Sequence, residues 1–356
     1  MFVISNTMSG ALVQLVAKGT QDAYLTSNDG ESFFKMKFTR YTEFSQAAKL
    51  LNVIGTIQNN DTSSVIITSS GDLINHVWLE GTNIISNLGG CIFDLYIGGQ
   101  LIDSQTFDFM ADVWQIYMAE TYSKCQTINN NVSQSDLNFF PLHFFFCDNQ
   151  MFLPLISLQY HQVEIKIRWG STIQNVPNLR IYGNYIYLDT TERLQMVNKN
   201  INMLITQVQK IESSDMTTLD LSTINHPIKS IFFGYPQAGT GDFWTFDNVD
   251  IILNGTYLLE NMSPTYFHTV QGYYGTQYGI INFININNSP KFTQYYMYNF
   301  SLDASSYKPT GTCNFSRLDN ARLNISNATG TNLTLYAINY NILRINKGLA
   351  GILFSN

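Results

Sequence analysis

The stretch Phe93-Asp-Leu-Tyr-Ile-Gly-Gly-Gln-Leu-Ile102 returns, shifted by 156 positions, as Val249-Asp-Ile-Ile-Leu-Asn-Gly-Thr-Tyr-Leu258. In both copies apolar side chains alternate, Phe93, Leu95 and Ile97 in one and Val249, Ile251 and Leu253 in the other. That is the period of a strand with one face in a core. Gly98-Gly99 and Asn254-Gly255 then supply two residues that tolerate positive φ, as a tight type I′ turn requires. Each copy is therefore a predicted hairpin, with Asp94 and Asp250 in the same place and Leu101-Ile102 and Tyr257-Leu258 opening the return strands. Two such hairpins spaced at nearly half the chain point to a duplicated module.

Length and composition agree with a duplication. A chain of 356 residues exceeds the size at which one core keeps growing, so two modules of roughly 150 residues are expected. Only 13% of residues are charged while 14% are aromatic, and Phe, Tyr, Ile, Val and Thr crowd the runs between Asn, Ser and Gly clusters, a β-rich composition. So little charge on so large a chain suggests that much of the surface meets protein rather than water. An ordinary sandwich with a polar, uncharged surface would have the same composition. The net charge of −7, the pI near 5.2 and the lack of any Lys/Arg run argue against a nucleic-acid-coating role. Cys91, Cys125, Cys147 and Cys313 lack CxxC spacing and are expected as free thiols of a reducing compartment, with a disulfide as the open alternative. Met1 to Gly19 has neither a cationic n-region nor an adequate apolar run, and no stretch of about 18 apolar residues follows. Neither a secretory signal nor a membrane-spanning helix is expected.

Along the chain, Ser9 to Lys18 is predicted as a short amphipathic helix with Leu12, Leu15 and Val16 on one side. Strands are predicted at Ser32 to Thr42, Ser64 to Ser69, Leu73 to Leu79, Cys91 to Ile97, His161 to Arg168 and Ile181 to Leu188. Asp108 to Glu120 breaks the rhythm: Met110, Val113, Trp114 and Tyr117 recur at helical spacing, and Asp108 is placed to cap one inserted helix. The closing strand, Tyr336 to Ile342, alternates Tyr336, Ile338, Tyr340 and Ile342 against Ala337, Asn339 and Asn341. The expected division is an arm at 1–19, a first module at 20–190, a linker at 191–200 and a second module at 201–356. Short strands, few helices and no βαβ rhythm predict an all-β chain of antiparallel sandwiches or barrels. About eight strands per module suits a jelly roll, though spacing alone does not separate it from other sandwiches.

Nothing in the sequence nominates a catalyst, a cofactor or a metal site. His76, His143, His161, His226 and His268 are scattered, and His161 and Glu164, three apart on a strand, point to opposite faces. A cupin would need several His and a carboxylate converging in one barrel. The GxG in Ala238 to Asp242 lacks a following helix and a Lys-Ser/Thr pair, so it is expected as a loop. There is no GxSxG elbow and no HExxH. The Asn-X-Ser/Thr sequons at Asn60, Asn131, Asn254, Asn299, Asn314, Asn324 and Asn332 are expected to be structural or solvated asparagines, many of the sequons arising by chance in an Asn-rich chain.

Lys308 to Leu323, KPTGTCNFSRLDNARL, closely resembles the signature near the end of the major capsid proteins of large nucleocytoplasmic DNA viruses of chlorovirus and iridovirus type. Five further segments resemble the same family in the same order: Gly10 to Asn28, Phe38 to Phe44, Pro154 to Ile167, Tyr185 to Arg193 (YIYLDTTER) and Asn339 to Asn356. The resemblance implies two consecutive eight-stranded jelly rolls with few short helices. It also implies homotrimers forming pseudo-hexagonal capsomers that tile an icosahedral shell outside an internal membrane. By the same resemblance, Met1 to Gly19 lies at the inner face and meets minor capsid proteins or the membrane side. Neighbouring capsomers are the other expected partners, the virion the expected location, and assembly in the host cytoplasm the expected route. The chain departs from the family in being short, particularly between Tyr273 and Gln294, which predicts a flatter outer surface. The alternatives are a minor or vertex-associated capsid paralogue and, more remotely, a carbohydrate-binding sandwich suggested by abundant Tyr, Asn and Trp.

Overall fold

The computed structural model describes residues 40–118, 138–148, 151–176, 178–236, 244–277 and 295–355, with a few positions before residue 40. Residues 1–42 and 43–356 form two separate compact units. In the first unit the Ala17 amide bonds to the Val13 carbonyl at 2.9 Å, one helical turn, and the rest of the expected helix Ser9 to Lys18 lies largely outside the described residues. Of the expected strand Ser32 to Thr42, Phe34 and residues 40–42 are described, and none of them is in a strand.

The second unit is a double jelly roll. Its first half is built from β1 (Phe44–Leu51), β2 (Val53–Ile54), β3 (Thr62–Ile67), β4 (Leu73–Gly81), β5 (Ile92–Ile97), β6 (Gln100–Thr106), β7 (Asn138–Pro141), β8 (Val163–Arg168) and β9 (Arg180–Leu188). The second half has β10 (Ile201–Ser213), β11 (Thr218–Asp220), β12 (Pro227–Gly234), β13 (Asn248–Leu253), β14 (Thr256–Met262), β15 (Tyr295–Asn299), β16 (Cys313–Asn314), β17 (Ala321–Ser326), β18 (Leu333–Asn346) and β19 (Leu349–Ile352). In the first roll the sheet β1-β9-β4-β7 packs on β2-β3-β8-β5-β6. In the second, β10-β18-β12-β15, carrying β16 and β19 at its side, packs on β11-β17-β13-β14. With β2, β16 and β19 set aside, the two halves share one strand order, in which the first strand pairs with the last, as in a jelly roll.

The duplication extends to irregularities that no strand pattern demands. Gly98 and Gly99 have φ of 58° and 82°, Asn254 and Gly255 of 48° and 79°, so both turns have the left-handed pair that the sequence predicts. Each hairpin then carries a β-bulge at the same register: Leu95 faces Asp103 but Tyr96 faces Leu101, and Ile251 faces Leu259 but Ile252 faces Tyr257. A second bulge recurs in β4 between Ile74 and His76 and in β12 between Ile228 and Ser230. Each return strand is followed by a π-helix running into an α-turn, Phe109–Trp114 with Gln115–Tyr117 and Tyr266–Val270 with Gln271–Gly275. The amides of Gln115 and Gln271 close the same five-residue step, onto the carbonyls of Met110 and Tyr266.

The single capped helix expected from Asp108 is corrected by this geometry. The Asp108 side chain makes no capping bond; the Thr106 hydroxyl instead accepts the Phe109 amide at 3.2 Å. The stretch expected as a plain linker also contains a helix, Thr190–Asn198, capped by the Asp189 carboxylate. Its Arg193 guanidinium pairs with the buried Asp72 carboxylate at 2.8 Å, which pins the helix to the first roll.

β8 alternates as the sequence predicts, with Val163, Ile165 and Ile167 buried. β18 does not: residues 333–341 are buried on both faces. Leu333, Leu335 and Ala337 enter the core of their own roll, whereas Tyr336 and Ile338 belong to the core that includes the first roll. There the π-helical insertion of the first roll lies on the sheet β10-β18-β12-β15. Phe109 packs on Tyr336 with ring centroids 5.3 Å apart and Tyr117 on Phe232 at 5.4 Å, while the Tyr117 hydroxyl donates to the Tyr295 carbonyl at 2.7 Å. Buried aromatic pairs of this kind contribute about 0.5–1.5 kcal/mol each beyond their apolar burial. Alongside, the Asp103 carboxylate accepts the Val208 amide of the second roll at 2.9 Å, and the Gln207 side-chain amide donates to the Ile102 carbonyl.

Two tests follow from this packing. The Asn254 side-chain oxygen accepts the amides of Asp319 and Asn320 at 3.0 and 3.1 Å while its backbone is left-handed. Asn254→Ala is expected to cost about 2 kcal/mol in chemical denaturation and Asn254→Gly about half of that, because glycine loses the two bonds but not the turn. Burial, opposed in part by the hydrogen bonds from Val208, Gln105 and Ser104, pushes the Asp103 carboxyl up to about 7. The folded chain holds that proton more tightly than the unfolded one. Its contribution to stability is fully present below the ordinary carboxylate value of 3.8 and is lost as pH rises through about 7. Between pH 5 and 8 the melting temperature of the wild-type chain should therefore fall more steeply than that of Asp103→Asn, which does not titrate.

Candidate functional site

The side chains most able to do chemistry are spent on structure. His143 is half-buried and stacks on Trp114 with centroids 3.7 Å apart; loss of solvent around the ring lowers its pKa to about 3, which favours the neutral form. Its Nε2 lies 3.0 Å from the Gln115 side-chain nitrogen. His161 accepts the Ala350 amide at Nδ1 (3.1 Å), so it ties the closing hairpin β18–β19 to the first roll. Glu164 lies on the face of β8 opposite the buried Val163 and Ile165. His76 is 3.2 Å from the Cys147 carbonyl, the His226 amide donates to the Ser316 hydroxyl at 2.8 Å, and His268 lies 3.2 Å from the Thr269 hydroxyl. Among the described residues no group of three or more His, Cys, Asp or Glu is placed to hold a metal ion. Cys91, Cys147 and Cys313 are free thiols, with Cys91 pushed up to about 11 by burial; Cys125 lies outside the described residues. So does the GxG segment Ala238 to Asp242.

A cleft of about 700 Å³ opens where the rolls meet, lined by Trp78, Trp114, His143, Lys229 and Tyr307 among others. Lys229 is buried there, donates to the Ser306 carbonyl at 2.8 Å and sits over the Tyr340 ring; burial lowers its pKa to about 8. The group is held in place by these contacts and belongs to the joint between the rolls.

The motif segments that carry the family resemblance also work inside the fold. In Lys308 to Leu323, Cys313 and Asn314 form β16 against Pro227 and Ile228, Phe315 is buried, and Ala321 begins β17. Gly311 has φ of 145°, and a side chain there would press on the Phe300 carbonyl. The loop is clasped from the other sheet by Asn254, so the second hairpin turn and the signature hold one another. The first hairpin turn has a different neighbour. A side chain at Gly98 would run into the His161 ring, and Gln100 accepts the Ile352 amide at 3.2 Å.

Several of the asparagines hold turns, caps or hydrogen bonds. Of nine non-glycine residues with positive φ among those described, seven are Asn, including Asn60, Asn254 and Asn332. Asn tolerates left-handed turns better than other residues with a side chain, and these seven asparagines use that property. Asn314 caps the short helix Phe315–Arg317, and the Asn299 amide donates to Gln271. Asn324 lies in β17, and Asn131 lies outside the described residues.

The chain's open surfaces are the flanks of the two rolls. β1 is exposed on both faces except at Leu51, and its outer edge pairs with no strand among the described residues. At the far side of the second roll, β14 is largely exposed, as are Val270, Tyr273 and Tyr274 on the insertion that follows it. Sequence reasoning placed Tyr257 and Leu258 on a return strand but assigned none of these residues to a contact surface. Carried into Asp108 to Glu120, the 156-residue shift marks Tyr273 and Tyr274 as the counterparts of Tyr117 and Met118.

Comparison with known proteins matches this architecture over nearly the whole chain. Residues 32–189 match the family described as "Major capsid protein N-terminus", and residues 192–351 match "Large eukaryotic DNA virus major capsid protein". The chain is 30% identical to the major capsid protein of Pyramimonas orientalis virus and 28% identical to that of Paramecium bursaria Chlorella virus 1, in both cases over 98% of this chain and 100% of the relative. Among solved structures, the PBCV-1 virus capsid superposes with a TM-score of 0.78 at 24% identity, covering 91% of this chain and 100% of that one. The Faustovirus major capsid protein superposes with a TM-score of 0.70 at 9% identity, covering 92% and 94%. With its duplicated rolls, shared strand order and end-to-end match to these relatives, the chain belongs to the major capsid protein family of large eukaryotic DNA viruses.

Proposed function

We propose that this chain is a structural, non-catalytic building block of an icosahedral capsid, and that three copies close into a capsomer of near-hexagonal outline. The observation that supports this most directly is the repetition itself. Two rolls of one strand order stand side by side in one compact unit, and their bulges and insertions repeat in register. Three such chains around a cyclic axis present six similar walls, and six walls pack a near-hexagonal lattice without six identical subunits. The scarcity of charge suits the same reading, because seams between chains and between capsomers would cover the flanks.

Several finer elements belong to this proposal. The division into an arm at 1–19, rolls at 20–190 and 201–356 and a linker at 191–200 is one. An inward-facing arm that meets minor capsid proteins or an internal membrane is another. Synthesis and assembly in the host cytoplasm, and packing without direct contact to nucleic acid, complete the reading; the acidic balance of the chain supports the last point. The flat outer surface expected from the short segment Tyr273 to Gln294 also stays a proposal, since residues 278–294 lie outside those described.

Light scattering on the purified chain at micromolar concentration is expected to give three times the 40.5 kDa chain mass. Negative-stain images should show particles of threefold symmetry with a hexagonal outline. A chain that stays monomeric at the concentrations reached in an assembling particle would remove this reading.

A further inference from the structure

The joint between the two rolls of one chain is a template for the joint between chains. Its donor side is the first roll's return strand and insertion, where Ile102 is 1% and Tyr117 2% exposed. Its acceptor side is the sheet β10-β18-β12-β15, where Phe232 and Tyr336 form the aromatic platform under Tyr117 and Phe109. Both sides have counterparts elsewhere in the chain, and the repeated bulges establish which residue corresponds to which.

On the donor side, the hairpin bulges align at a shift of 156, so Ile102 corresponds to Leu258. The Gln115 and Gln271 closures of the π-helices keep that shift, so Tyr117 corresponds to Tyr273 and Met118 to Tyr274. On the acceptor side, the bulges in β4 and β12 align Trp78 with Phe232 and, through their cross-strand partners, Tyr182 with Tyr336. Pairing of β7 and β15 to these strands aligns Phe139 with Tyr295.

The donor counterparts are exposed, and the acceptor counterparts are only partly covered. Leu258 is 41%, Tyr273 71% and Tyr274 77% exposed. Trp78 and Tyr182 lie stacked on the outer face of β4 and β9, centroids 5.6 Å apart and half-buried. Beside them β1, which pairs with β9 as β10 pairs with β18, carries Phe44 and Leu50, each more than half exposed. The chain thus has an unused donor on its second roll and an incompletely covered acceptor on the outer sheet face of its first, whose Trp78 and Phe139 also border the cleft between the rolls. Exposed tyrosines suit such a surface, since each hydroxyl is solvated while the chain is free and the ring supplies apolar area on docking.

We propose that a second copy of this chain covers them. Tyr273, Tyr274 and Leu258 of one chain seat on the Trp78–Tyr182 platform of the next, and the Tyr273 hydroxyl donates to the neighbour's Phe139 carbonyl as Tyr117 does to Tyr295 within the chain. The contact is head-to-tail, so it generates a ring that closes when the rotation permits. This assignment rests on the trimeric reading above and names the residues of its seam.

A photoreactive benzoylphenylalanine at position 273, irradiated in the assembled wild-type background, is expected to form an adduct between chains on the 73–81, 138–141 or 180–188 strands, read by peptide mass mapping. An adduct confined to its own chain, or one on another face of the neighbour, overturns the proposal. The double variant Tyr273→Ala, Tyr274→Ala is expected to keep the wild-type circular dichroism while raising the concentration at half-association at least about 30-fold. Leu302→Ala, at another exposed apolar position, should leave association unchanged. A wild-type chain that never associates overturns the assembly reading and this seam together, whereas a wild-type trimer whose association survives the double substitution overturns the seam alone.

Discussion

The structure depends on the middle of one sheet being dry on both faces. The strands β10, β18, β12 and β15 cover the core of the second roll with one surface and receive the first roll's insertion on the other. A sheet in the middle of a sandwich normally has one wet face and alternates accordingly. Here the second face is covered by Phe109 and Tyr117, and several of the polar groups at the contact are bonded. The Tyr117 hydroxyl reaches a carbonyl, the Tyr336 hydroxyl meets Thr106 at 3.0 Å, and the Asp103 carboxylate takes a backbone amide. Burying these groups without partners would cost more than the aromatic contacts contribute. The two rolls are therefore one compact unit rather than beads on a linker.

Duplication explains the parts and divergence explains their uses. Both hairpins keep the left-handed turn and the bulge, since those determine how the return strand bends toward the insertion. Their neighbours differ. Gly98 leaves room for His161 and for the closing hairpin, while Asn254 uses its side chain to clasp the loop before β17. Asp94 and Asp250 show the same pattern. The first pairs with Arg168 at 3.0 Å, and the second accepts the Asn261 amide at 2.6 Å. One carboxylate position thus serves an ion pair in one copy and a bulge amide in the other.

Much of the fold was legible because a strand's apolar period is local. Val163, Ile165 and Ile167 announced β8, and two-residue turns of Gly and Asn announced both hairpins. What was missed came from contacts distant in sequence. The Asp108 segment showed its helical spacing, but not the π-helical turn that it shares with the second insertion, nor its burial against β18, more than two hundred residues away, and Thr106 rather than Asp108 caps it. β1 was not recognised, since FSQAAKLL has neither clean alternation nor a buried face, only Leu51 being covered. The linker concealed a helix because its anchor, Asp72, lies in the turn before β4 and is invisible as a partner until the chain is folded. None of the residues proposed for the seam was assigned to a contact, because Tyr273 and Tyr274 look like any exposed pair until Tyr117 is seen buried in the equivalent place.

The sequence by itself determined the β-rich class, the duplication and its hairpins, and, through six motif segments, the family to which the chain belongs. These are properties of composition, period and spacing, and they survive without knowing which strand neighbours which. Only the tertiary structure decided that β18 is buried on both faces, that Asp103 and Lys229 are shielded from water, and that the two hairpins have taken different partners. Burial on a second face is a property of what another roll places there. The 156-residue echo showed two copies of one module; the folded chain showed that one copy's donor surface is covered and the other's is open.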